Sequence, residues 1–121
     1  MACAAAIATL DVFEEEDVLG NVRARGTQAR AALGALEAEL PDVVADVRGR
    51  GRMVGVEFGD GHEGIAARVC QEAEARGLLL LTAGVHDTVR LLPPLTVSEA
   101  DMAEALGVIC ASVHFPVMWM P

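Results

Sequence analysis

Arg90 is the residue whose surroundings ask for chemistry. It stands in Val89-Arg90-Leu91-Leu92-Pro93-Pro94-Leu95-Thr96, inside an apolar run that two prolines stop. The other arginines lie in polar surroundings. A guanidinium is planar, permanently charged and forked, so it can hold a carboxylate by two parallel hydrogen bonds. At a strand end beside prolines it would be held rigidly, which substrate positioning requires. The residues leave two readings open. Either Arg90 meets a carboxylate brought from outside, or it pairs with one of its own chain, Asp87 and Glu57 being the neighbours in view.

The remaining reactive side chains are sparse. Every one of the 9 Lys+Arg positions is an arginine, so no lysine is present to form a Schiff base. Cys3, Cys70 and Cys110 are widely spaced, with no CxxC and no Cys/His ligand spacing, so no metal site is expected. They read as buried free thiols in a reducing cytoplasm. His62, His86 and His114 are isolated in sequence and carry no catalytic pattern. Arg48-Gly49-Arg50-Gly51 is a glycine-punctuated turn, followed by Arg52. Arg50 and Arg52 read as solvated or interface charges, a direct substrate role being the weaker alternative. Gly49, Gly51 and Gly55 read as permitting a tight turn and a close backbone approach beside a strand.

The totals bound what these residues can belong to. A chain of 121 residues is one domain, large enough to bury roughly 65–70% of its unfolded surface without disulfides. The apolar share is 53% with only 3% aromatic, and much of it is alanine, which favours close helix packing. A net charge of −9 with a pI near 4.6 excludes nucleic acid and anionic membrane surfaces as partners, since both need a basic face. The apolar N-terminus has no positive leader region and runs straight into Glu14-Glu15-Glu16-Asp17, so it is neither a signal peptide nor a span. It reads as a helix that packs, in a soluble, cytoplasmic protein.

The elements that must position Arg90 follow from periodicity. Ala6, Ile7, Leu10 and Phe13 predict a helix over residues 2–15. Val18, Val22, Ala29, Leu33, Leu36 and Leu40 predict a second, ended by Pro41. Residues 43–47 and 53–58 read as strands, with Gly59-Asp60-Gly61 as a turn. Ile65, Val69, Cys70 and Ala73 mark a third helix closed by Gly77. Residues 78–82 read as a strand apolar on both faces and therefore central, and residues 88–92 as the strand that carries Arg90. Ser98-Glu99-Ala100-Asp101 reads as a capping box opening a last helix striped by Met102, Leu106, Ile109 and Val113. From His114 the chain reads as an apolar, proline-broken, aperiodic tail. The order ααββαββα predicts an α+β domain, a small mixed sheet of about four strands covered by helices.

Three stretches carry a resemblance: ACAAAIATLDVFEEED, DVRGRGRMVGVEF and GLLLLTAGVHDTVRLLPPLTVSEADMAEAL. In wording, order and spacing they resemble the C-terminal small domain of class-III, fold-type-I pyridoxal-phosphate-dependent aminotransferases, such as those acting on 4-aminobutyrate and acetylornithine. The resemblance implies a small domain over residues 1–113, its first helix linking it to a large domain, and an atypical tail at 114–121. For Arg90 it implies the family's small-domain arginine, which binds the substrate carboxylate from an R-x-x-P-P-like element. It implies transfer of an amino group from an ω- or α-amino acid to a 2-oxo acid, through pyridoxal 5'-phosphate held on a lysine. With no lysine and none of the large-domain elements that bind the cofactor, this chain is expected to hold no cofactor alone and no catalytic residue. The implied partners are a large cofactor-binding domain, a homodimer partner and the amino-acid or oxo-acid substrate. The expectation is therefore the C-terminal fragment of an aminotransferase. The alternative is a free-standing binding or assembly module that reuses the small-domain fold without transamination.

Overall fold

The computed structural model describes residues 1–117. Its elements run α1 (Ala2–Glu15), α2 (Val18–Glu39), β1 (Val44–Arg50), β2 (Met53–Phe58), α3 (Ile65–Ala75), β3 (Leu81–Ala83), β4 (Thr88–Leu91) and α4 (Glu99–Val117). This is the element order that the periodicities predict, and the α+β class holds.

The four strands form one sheet in the order β1-β2-β4-β3, and every neighbouring pair is antiparallel. That corrects the expectation of a mixed sheet. The β2–α3–β3 crossover does return β3 in the direction of β2. β4 then folds back along β3 and takes the slot between them, so the two parallel strands never touch. The leucine run at 78–82 is likewise not central. β3 is a rim strand: its Leu81 is 59% exposed, and Leu79 just before it 82%. A run apolar throughout says nothing about which strand covers it, and the hairpin with β4 sends it to the edge.

The core lies between one face of the sheet and the helices. Val54, Val56 and Phe58 of β2 and Val89 and Leu91 of β4 alternate toward it. There they join Leu33 and Leu36 of α2, Ile65 and Val69 of α3, and Met102, Leu106, Ile109 and Val113 of α4. Each such side chain contributes about 1.5–3 kcal/mol by leaving water. The alternation places Arg48, Met53, Gly55, Glu57, Thr88 and Arg90 on the opposite face, the barer one.

Local chemistry sets the joints. α3 has no capping side chain of its own at Gly64; Asp87, from the β3–β4 turn, accepts from the amides of Ile65 (2.9 Å) and Ala66 (3.1 Å). Gly77 at φ +86 ends the helix as expected, with the Leu78 amide donating to the Ala73 carbonyl at 2.8 Å. At α4 the Ser98 hydroxyl accepts from the Asp101 amide at 3.1 Å, the expected cap. The β1–β2 turn rests on α2 so closely that a Cβ on Gly26 would stand 2.3 Å from the Gly51 carbonyl oxygen.

Two expectations change at the ends of the chain. α1 forms over the expected residues yet buries none of them, with Ile7 and Leu10 more than half exposed. Apart from half-buried Phe13, its apolar residues lie exposed. At the other end α4 continues through His114 to Val117, so the first part of the expected tail is helical. His114 pins it there, its ring donating to the Cys110 carbonyl (2.7 Å) and to Glu39 of α2 (3.1 Å). The rest of that tail, 118–121, lies outside the described residues.

Candidate functional site

Arg90 leaves β4 on the bare face, because its neighbours Val89 and Leu91 both enter the core. It lies opposite Gly55 of β2 on one side and Leu81 of β3 on the other. Three residues on, Pro93 and Pro94 end the strand. Arg90 also lines a cleft of about 350 Å³, otherwise mostly apolar, between the β3–β4 rim and Met102, Leu106 and Ile109 of α4.

No carboxylate among the described residues forms an ion pair with Arg90, and its Nε is buried with no hydrogen-bond partner. The reason lies in its neighbours. Asp87 spends both carboxylate oxygens on the amides at the start of α3. Glu57 is taken by Arg48 on one oxygen and faces His86 Nδ1 at 3.7 Å on the other. Arg48 also binds Asp46 at 2.7 Å, and these two carboxylates hold its guanidinium pKa above the ordinary value. A chain of polar contacts, Asp46–Arg48–Glu57–His86, thus runs across this face and takes up Glu57. Arg90 stands beside it unpaired.

The chain Asp46–Arg48–Glu57–His86 carries no signal of its own in the sequence, because it is built from two strands and a turn. Thr88, two residues before Arg90 on the same face, is buried with its hydroxyl unpartnered, and the sequence does not single it out. Arg50 is exposed at the hairpin end, as a solvated charge should be. Arg52 corrects that reading: it is 4% exposed, and none of its three guanidinium nitrogens has an acceptor. Burial alone pushes its pKa down. Cys3 is exposed rather than buried, while Cys70 and Cys110 are half-buried thiols whose pKa burial pushes up. No helix among the described residues is long and apolar enough to cross a membrane.

The family model for class-III aminotransferases matches residues 1–113, and the chain belongs to that family. It is 44% identical over 107 residues to the acetylornithine aminotransferase of Thermosynechococcus vestitus, covering 88% of this chain and 26% of that protein. It is 35% identical over 117 residues to the 4-aminobutyrate aminotransferase of Mycobacterium tuberculosis, covering 92% of this chain and 26% of the relative. Among solved structures, the acetylornithine aminotransferase of Elizabethkingia anophelis superposes with a TM-score of 0.84 at 26% identity, over 94% of this chain and 28% of that one. The chain therefore spans about a quarter of the length of the curated relatives it matches.

The family implies pyridoxal 5'-phosphate. The residues present do not fit it: the chain has no lysine, so it offers no side-chain amine to hold the aldehyde. No step of the reaction is assigned to these residues through the cofactor.

Proposed function

We propose that this chain is the substrate-clamping small domain of a class-III aminotransferase, and that Arg90 binds the carboxylate of an amino-acid or 2-oxo-acid substrate. The observation that carries this is the unpaired guanidinium itself. Asp87 and Glu57, the two carboxylates placed to neutralise it, are both engaged elsewhere. A guanidinium left in this way next to rigid prolines suits a ligand that arrives and leaves. The cofactor, its lysine and the amino-transfer chemistry belong, in this reading, to a large domain of the same polypeptide or of a partner, in a cytoplasmic dimer. Residues 1–113 are the small domain, with α1 as the link to the large one, and residues 114–121 are an atypical tail of the sequence.

The test is Arg90→Ala in the full-length holoenzyme that carries this domain. Charged hydrogen bonds contribute roughly 1.5–3 kcal/mol each, so KM for carboxylate substrates is expected to rise by about one to two orders of magnitude. A simple amine without a carboxylate is expected to be spared. Equal loss for both would remove the clamp assignment. The second reading, a free-standing module without transamination, draws on the missing lysine. It predicts that no lysine-bearing large domain, supplied in cis or in trans, restores transfer.

A further inference from the structure

Glycine in a strand interior is costly, by about 0.5–1 kcal/mol against alanine, because it loses more backbone freedom and packs nothing. Gly49, near the end of β1, and Gly51, in the hairpin turn, have local reasons, with φ of +150 and +57. Gly55 has none. Its φ is not in the left-handed region. A Cβ built on it meets Thr88 Cγ2 at 3.4 Å and the carbonyls of Arg48 and Val89 at 3.9 and 4.0 Å, all ordinary contacts. The close approach expected from the sequence at this position does not exist. The strand keeps a gap that this domain does not need.

The gap lies beside the clamp. Arg48, Gly55, Arg90 and Leu81 form one row across the bare face. Positions directly opposed on neighbouring strands have β-carbons about 4.5–5.5 Å apart. A side chain at position 55 would therefore be the direct cross-strand neighbour of Arg90. Arg48, on the other flank, is drawn toward Asp46 and Glu57 in the neighbouring row.

We infer that Gly55 is a specificity-determining residue for the reaction proposed above. Its missing side chain makes room for the substrate carbon that bears the carboxylate held by Arg90. The inference rests on the Arg90 reading, and the experiment separates the two. Gly55→Ala, Gly55→Val and Arg90→Ala are made in the full-length holoenzyme. KM and kcat are measured for a carboxylate substrate and for a carboxylate-free amine of the same length, together with Tm. For Gly55→Val the expected result is an unchanged or raised Tm and a rise in KM for the carboxylate substrate of about tenfold or more. Gly55→Ala is expected to give a smaller rise, and the carboxylate-free amine to be unaffected. If Arg90→Ala is selective while Gly55→Val leaves KM unchanged, the inference falls and the clamp stands. If Gly55→Val lowers Tm and harms both substrates equally, the glycine serves a contact with the rest of the polypeptide and the inference falls. If Arg90→Ala shows no selectivity, both fall together.

Discussion

Arg52→Met takes a charge out of a place where the fold leaves it without an acceptor. Arg52 is 4% exposed and its Nε, Nη1 and Nη2 are all buried and unpartnered. Mutational data put an unpaired buried polar group at about 1–3 kcal/mol, and more when it is charged. Replacing even a buried ion pair by apolar side chains of similar volume is often neutral to stabilising by about 1–4 kcal/mol, and an unpaired ion has no partner's attraction to lose. The β1–β2 turn stands at the end of its hairpin, so the lower part of that range, about 1–2 kcal/mol, is the better guide. Methionine keeps the unbranched stem and loses only the guanidinium. Unfolding entropy of about 2.1 cal/mol/K per residue makes each kcal/mol worth about 4 °C in a chain of 121 residues. Arg52→Met is thus expected to raise Tm by about 4–8 °C. Circular dichroism melts at matched concentration measure it, with Arg52→Lys, which keeps the charge, as the control that should gain nothing. A lower Tm for Arg52→Met, or an equal rise for Arg52→Lys, would show that the guanidinium is satisfied and that the reasoning is wrong.

Asp87→Ala strips two amides at the start of α3 of their acceptor and is expected to cost about 1–2 kcal/mol, read as a lower urea midpoint at unchanged slope. Gly26→Ala drives a Cβ to 2.3 Å from a backbone oxygen that cannot step aside, and is expected to cost about 1–3 kcal/mol by the same measurement. His114 gives a pH signature. Both its ring partners, the Cys110 carbonyl and Glu39, are acceptors that favour the protonated ring, and these bonds hold its pKa above the ordinary 6.5. The stability it adds is full below that value and fades as pH rises through the raised pKa. His114→Gln is expected to flatten Tm against pH across that window; an unchanged profile would show that the ring does not titrate there.

What the sequence shows of this fold is what neighbours in the chain decide. Helix spans follow from apolar faces a few residues wide, and the Ser98 cap from residues three apart. The sheet is less legible because strand order is a matter of closure. Nothing in residues 78–82 says that β4 will fold back and claim the place beside β2. The same limit holds at the site. Arg90 stands out because apolar residues and prolines bracket it locally. The commitments that leave it unpaired are made across strands, by Asp87 to α3 and by Glu57 to Arg48. The burial of Arg52 is of this kind too, since an arginine after a glycine turn reads as surface until the hairpin is laid on α2.

The strand order also orders assembly in time. β1–β2 and β3–β4 are hairpins closed by short turns, local events that form in microseconds. The β2–β4 pairing joins residues about thirty apart and bears the larger loop-closure entropy. It is the seam of the domain. Arg90 and Gly55 face each other across that seam, one from each hairpin. The distance between Arg90 and Gly55 is therefore fixed only when the two halves dock, and in the proposed reading any slip at that joint would be felt first in the grip on substrate.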